Sequence, residues 1–425
     1  MTQATLNSQQ LMKLEDQHGA HNYHPLPVVL SRGEGVFVWD VEGKKYYDFL
    51  SAYSAVNQGH CHPRIIQALK EQAGTLTLTS RAFYSDVLGQ YEKYITELFG
   101  FDKVLPMNTG AEGVETALKI CRRWGYEKKG VPANQGLIVV FDQNFHGRTT
   151  TIISFSSDPD ARNNFGPYTE GFITVPYNDL QSLQKAFKNH SNIVGVLTEP
   201  IQGEAGVVVP DENFLRGVSE LCKQHQALFI ADEIQTGIAR TGSLLAVCGN
   251  CSCEKKCERQ ATYVKPDMLI LGKALSGGVY PVSAVLADNE VMEVITPGSH
   301  GSTYGGNPLA CKVAMAAMEV VHDEDLSQNA RTLGKIFRDR MNQLIQKSTL
   351  VKLVRGKGLL NAIVINDTPE SSTAWDICVA LKENGLIAKP THGNIIRFAP
   401  PLVMTEDQLH DCCDIIEKTI LNFSK

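Results

Sequence analysis

The chain has 425 residues, 43% of them hydrophobic and 20% charged, and carries a net charge of −6. That supplies enough apolar material for two packed domains, while the mild acidity gives no support to nucleic acid as a partner. No stretch reaches the roughly 20 apolar residues of a membrane-spanning helix, so no membrane partner is expected. In chain order, residues 1–17 are polar and have neither the apolar centre of a secretory signal nor the Arg-rich bias of a transit peptide; the expected location is cytoplasmic. Apolar strand-like runs then alternate with helical patterns, predicting strands over 103–107, 137–141, 193–197, 228–231 and 268–271. Such alternation predicts an α/β fold with a mainly parallel sheet. A long amphipathic segment, 309–321, leads to strands expected at 351–354, 359–365 and 395–399, which read as a smaller α+β domain. The expected organisation is an N-terminal segment (1–48), a large domain (49–305) and a small C-terminal domain (306–425).

Two of these strand ends carry chemistry. The run Leu269-Ile270-Leu271-Gly272-Lys273 ends in a lysine, and Leu228-Phe229-Ile230-Ala231-Asp232 ends in an aspartate. Alone, either has an ordinary reading, a strand-end lysine or a helix N-cap. Together they match the needs of an aldehyde cofactor such as pyridoxal 5'-phosphate (PLP), which takes a lysine amine for covalent attachment and a buried carboxylate at its pyridine nitrogen. After 103–107 comes Asn108-Thr109-Gly110-Ala111-Glu112-Gly113, a glycine-containing turn that opens a helix. It lacks the dinucleotide and P-loop patterns, but the backbone N–H groups of Gly110 and Ala111 are candidates to hold a phosphate.

The cysteines are eleven, an odd number without a signal sequence, which favours reduced thiols over a disulfide framework. Four of them, Cys248, Cys251, Cys253 and Cys257, fall within an insertion at 248–260. Three readings stand for them: a structural zinc site, a redox-sensitive thiol pair or a reduced surface loop. The run Gly59-His60-Cys61-His62-Pro63 suggests a metal at first sight, but two histidines at i and i+2 on a turn rarely share one ion without further ligands, and no metal is assigned to it.

The run Ala231-Asp232-Glu233-Ile234-Gln235-Thr236-Gly237, the Lys273 segment and Gly301-Ser302-Thr303-Tyr304-Gly305-Gly306-Asn307-Pro308 resemble the class III aminotransferases. That resemblance runs from about Gly19 to the C-terminal helix and implies the aspartate aminotransferase-like fold (PLP fold type I). Gly19-Ala20-His21-Asn22-Tyr23-His24-Pro25 and Pro200-Ile201-Gln202-Gly203-Glu204-Ala205-Gly206 are similar to the branch of the family that acts on the distal amine of ornithine. The resemblance implies that Phe145 stacks on the cofactor ring, that Gln235 bonds its phenolic oxygen, and that Ser302 and Thr303 reach its phosphate. In relatives the Thr303 counterpart comes from the neighbouring subunit, which implies a homodimer with shared sites. It also implies that Arg148 and Arg397 hold substrate carboxylates, that Glu204 masks Arg397 while ornithine is bound, and that Tyr23 and Tyr53 line the ornithine pocket. The substrates so implied are ornithine with 2-oxoglutarate or glutamate. Two alternatives remain: a related transaminase of N-acetylornithine or 4-aminobutyrate, and a binding protein on a degenerate scaffold with the cysteine cluster as its interaction element.

Overall fold

A computed structural model of the chain describes residues 6–248 and 264–423. Its centre is a seven-stranded sheet running, edge to edge, Lys103–Met107, Ser283–Ala287, Met268–Leu271, Leu228–Asp232, Ile193–Thr198, Leu137–Phe141 and Phe172–Val175. Six strands point the same way; Ser283–Ala287 alone is antiparallel to both its neighbours. The reversal has a simple cause. A parallel neighbour needs a crossover of a dozen or more residues, and the short connection from Met268–Leu271 to Ser283–Ala287 carries only one 3-10 turn.

Strands Ile193–Thr198, Leu228–Asp232 and Met268–Leu271 are buried at every position. They read as unbroken apolar runs because helices cover both faces of the sheet. Successive side chains point to opposite faces, so Phe229, Leu269 and Leu271 join one core while Ile230, Met268 and Ile270 join the other. Helix Gly110–Glu127 seals the second core with Val114, Leu118 and Cys121; helices Phe214–Gln224 and Pro308–Asp323 seal the first.

Two smaller sheets flank this one. Val351–Lys357, Leu360–Ile365, Ile395–Phe398 and Lys389–Thr391 form an antiparallel sheet in that order. Leu30–Glu34, Phe37–Asp40 and Lys45–Asp48 form a meander completed by the C-terminal strand Leu386–Ile387, parallel to Lys45–Asp48. The ends of the chain are thereby stitched together. Every strand expected from the sequence is present, with ends moved by up to a few residues. Phe172–Val175, Ser283–Ala287 and the N-terminal strands were not anticipated: the first is a half-exposed edge, and the second, Ser-Ala-Val-Leu-Ala, carries only two large apolar residues.

Candidate active site

The large sheet delivers its site residues from the carboxyl ends of its strands, where open α/β sheets form their ligand crevices. Gly110, Phe145, His146, Glu199, Asp232, Gln235 and Lys273 line one cavity of about 160 Å³. At its first wall, helix Gly110–Glu127 begins with a capping box. Thr109 Oγ1 accepts the Glu112 N–H at 3.2 Å, and the Glu112 carboxylate accepts the N–H groups of Asn108 and Thr109, both at 2.9 Å. The next two amides, of Gly110 and Ala111, find no acceptor among the described residues. They sit at the positive end of the helix dipole, ready for an anion.

Lys273 lies across the cavity with φ +45°, in the left-handed region that a side chain enters at a cost of order 1–3 kcal/mol. Burial lowers the pKa of its amine, against the opposing pull of Glu204 and Asp232. Asp232 is itself buried. One carboxylate oxygen meets His146 Nδ1 at 2.6 Å and the other accepts the Ile234 N–H at 3.1 Å. Burial resists protonation of His146, but its hydrogen bond to Asp232 and the charges of Asp232 and Glu199 outweigh this and raise its pKa. Its second nitrogen, Nε2, is buried without a partner among the described residues. Glu199 accepts the N–H groups of Phe145 (3.0 Å) and Gly203 (3.2 Å), and burial pushes its carboxyl up to about 7.

A second cluster adjoins the first through Gln235. The buried Arg397 donates to Glu204 Oε1 at 2.7 Å and to Gln235 Oε1 at 3.3 Å, while Gln235 Nε2 donates to the same Glu204 oxygen at 2.9 Å. Burial alone would raise the Glu204 carboxyl, but Arg397 and the Gln235 bond hold it at about 2, so the pair stays ionised. Gly203 makes this closeness feasible, because a Cβ there would lie 1.8 Å from Gln235 Oε1. The Tyr53 ring lies 4.9 Å from the Arg397 guanidinium. It stands on a run of four left-handed residues, Ser51 to Ser54, a strained conformation that concentrates at functional sites.

The remaining expected residues are spread more widely. Arg148 is exposed, 5.2 Å from the Phe145 ring. Tyr23, 59% exposed, lines a separate cavity of about 380 Å³ with Tyr53 and Lys389. Ser302 Oγ accepts from Asn108 Nδ2 at 2.8 Å, beside the phosphate-side helix start. Thr303 lines a different pocket, with Arg81 and Phe83, and does not face Lys273 within the single chain. His146 and Glu199 were missed from the sequence, although Glu199 follows a buried strand just as Asp232 ends one. Of the cysteine cluster, Cys251, Cys253 and Cys257 lie outside the described residues, as does the Cys248 side chain. Among the described residues no group of three or more His, Cys, Asp or Glu is placed to hold a metal ion.

A family model for class-III aminotransferases matches residues 18–420. The chain belongs to that family. It is 59% identical over 408 residues to a Drosophila melanogaster protein named mitochondrial ornithine aminotransferase, covering 96% of this chain and 90% of that one. A similarly named rat protein is 56% identical, with 98% and 91% covered. Among solved structures, the ornithine aminotransferase of Toxoplasma gondii ME49 superposes with a TM-score of 0.92 at 45% identity, over 98% and 95% of the two chains. A structure titled acetylornithine aminotransferase, from Elizabethkingia anophelis, has 62% identity and a TM-score of 0.88, over 99% and 100%. A class-III aminotransferase is a PLP-dependent enzyme, and the residues present suit that cofactor: two free amides at a helix start, a buried carboxylate, an aromatic ring and a desolvated lysine. No described helix is long and apolar enough to cross a membrane.

Proposed function

We propose that the chain is an L-ornithine:2-oxoglutarate δ-aminotransferase, yielding glutamate and glutamate 5-semialdehyde, which cyclises to pyrroline-5-carboxylate. One observation carries the reading: Arg397, a buried carboxylate fork, is closed by Glu204 at 2.7 Å. An enzyme that takes the distal amine of a diamino acid and the α-amine of glutamate at one centre must present a carboxylate site in one half-reaction and hide it in the other. A guanidinium masked by an internal carboxylate does this.

Gly110, Ala111, Phe145 and Asp232 would hold PLP, which would supply an electron sink for negative charge on the carbon losing its proton. Asp232, hydrogen-bonded to His146 at 2.6 Å, is the carboxylate that would meet the ring nitrogen. The Lys273 amine, its pKa lowered by burial, takes the proton from Cδ of ornithine in the first half-reaction and returns a proton to the carbon that becomes Cα of glutamate in the second. Arg148 holds the far carboxylate in both. With ornithine bound, Glu204 keeps Arg397 neutralised; with glutamate or 2-oxoglutarate, Glu204 swings off and Arg397 binds the α-carboxylate. Tyr23 and Tyr53 flank the α-amino end of ornithine. Gln235, bonded to Glu204 and Arg397, couples that switch to the cofactor's edge.

We also infer a homodimer. Phe83 and Tyr84 are 73% and fully exposed in the single chain, and Phe83 shares a pocket with Thr303, whose hydroxyl would serve the partner's phosphate site. The 62% identical relative favours N-acetylornithine as a second reading. An acylated α-amine, however, gives Tyr23 less to recognise. The Lys273→Ala variant tests the core assignment: it should stay folded and bind PLP with no measurable turnover of ornithine. Wild-type steady-state rates in that variant would overturn it.

A further inference from the structure

Arg240 is the largest side chain with zero exposure among the described residues, and it makes no ion pair there. Its donors go to neutral oxygens on three separate segments. Nε and Nη2 meet Asn57 Oδ1 at 3.2 and 2.6 Å, and Nη1 meets the carbonyls of Leu359 at 3.0 Å and Pro400 at 2.6 Å. Backbone bonds close the knot: Leu359 N–H donates to the Arg240 carbonyl at 3.1 Å, and Asn57 Nδ2 donates to the Ile238 carbonyl at 2.7 Å. Burial pulls the Arg240 pKa down to about 9, with Asp48 opposing and Arg397 adding to the fall. An uncompensated guanidinium is an expensive way to fill a core, and an apolar residue of similar volume would avoid the desolvation.

Each anchored segment leads to one wall of the Arg397 cluster, Leu359 through the strand Leu360–Ile365, whose Ala362 pairs with Arg397. Asn57 follows the left-handed run that carries Tyr53. Pro400 follows the strand Ile395–Phe398 that carries Arg397. Arg240 itself closes the turn that begins at Asp232 and holds Gln235. The fork of five donors is the only arrangement in this knot that spans all three, and a lysine ammonium, with donors on one atom, cannot reproduce it.

We propose that Arg240 is a positioning residue for the α-carboxylate site, fixing Arg397 against Gln235 and Tyr53 from behind. The proposal rests on the reading that Arg397 takes the α-carboxylate of glutamate and 2-oxoglutarate. Since Glu204 masks Arg397 in the ornithine half-reaction, a displaced Arg397 should harm one substrate far more than the other.

The test compares holoenzymes of the wild type, Arg240→Lys, Asn57→Ser and Arg397→Gln, by KM and kcat for each substrate and by the cofactor absorption band. Asn57→Ser removes the acceptor of Nε and Nη2 together with the Nδ2 bond to the Ile238 carbonyl but keeps the guanidinium, so it stays informative if the Arg240 variant does not fold. In Arg240→Lys and Asn57→Ser the KM for 2-oxoglutarate should rise about tenfold, the loss of one well-aligned charged contact, while the KM for ornithine and the cofactor band hold. If both KM values move together, or only thermal stability falls, Arg240 is structural and the proposal fails. If Arg397→Gln itself leaves the KM for 2-oxoglutarate unchanged, the underlying reading of Arg397 fails instead.

Discussion

In the proposed reading, Glu204 and Arg397 set the substrate logic at the scale of single side chains. A carboxyl held at about 2 in the folded protein, against 4.5 unperturbed, is ionised through the whole neutral range. Its contribution to stability is therefore complete above about pH 4.5 and is lost as pH falls towards about 2. Masking of Arg397 should then be indifferent to pH between about 5 and 9, and any pH profile of ornithine turnover in that window reports other groups. Removing the mask has the opposite signature. In Glu204→Ala the kcat/KM for ornithine should fall about tenfold or more, as a buried charged contact of about 1.5–3 kcal/mol is lost, while the glutamate half-reaction is kept or accelerated. Stopped-flow comparison of the two half-reactions checks this, and equal losses in both would remove the switch from Glu204.

Among the elements, the turn after Leu228–Asp232 holds a second perturbed carboxyl. Glu233 is fully buried, accepting Thr236 Oγ1 at 2.5 Å and the Val247 N–H at 2.7 Å, and burial pushes its carboxyl up to about 7. The folded protein thus holds a proton that the unfolded chain, at 4.5, has released. Stability from this group is full at low pH and falls as pH rises from about 4.5 through about 7. Glu233→Gln keeps the shape and needs no proton. Its melting temperature should decline less than the wild type's between about pH 5.5 and about pH 8; parallel curves would show that Glu233 is ionised at no cost. The elements were largely legible because both-face burial writes a strand as an apolar run, as in Val194 to Leu197 or Met268 to Leu271. Phe172–Val175 was not, since an edge strand with one buried residue in four leaves no such trace. The pairing of Leu386–Ile387 with Lys45–Asp48 joins residues too far apart in sequence for any local pattern to record.

For the molecule as a whole, the cofactor half of the site was legible and the substrate half only partly so. Lys273 and Asp232 announce themselves as lone polar residues ending apolar strands. Arg148, Tyr23 and Thr303 acquire meaning only through the resemblance; within one chain Tyr23 and Thr303 line pockets other than the Lys273 cavity, and Arg148 lies beside that cavity's Phe145. His146 escaped because its role exists only in the 2.6 Å contact with an aspartate from a different strand. Thr303 and the bare aromatics Phe83 and Tyr84 make assembly part of the account. Sedimentation should give twice the chain mass, and Phe83→Ser with Tyr84→Ser should give inactive monomers; a fully active monomer would contradict the shared site.

The most direct measurement is single-turnover bleaching of the cofactor band by ornithine, N-acetylornithine and 4-aminobutyrate, with the product captured by an aldehyde reagent that detects pyrroline-5-carboxylate. Fast bleaching by ornithine with a positive capture is the predicted result. Preference for N-acetylornithine, with no captured pyrroline-5-carboxylate from ornithine, would keep the fold and the cofactor site but contradict the δ-transaminase and the roles given to Tyr23 and Glu204.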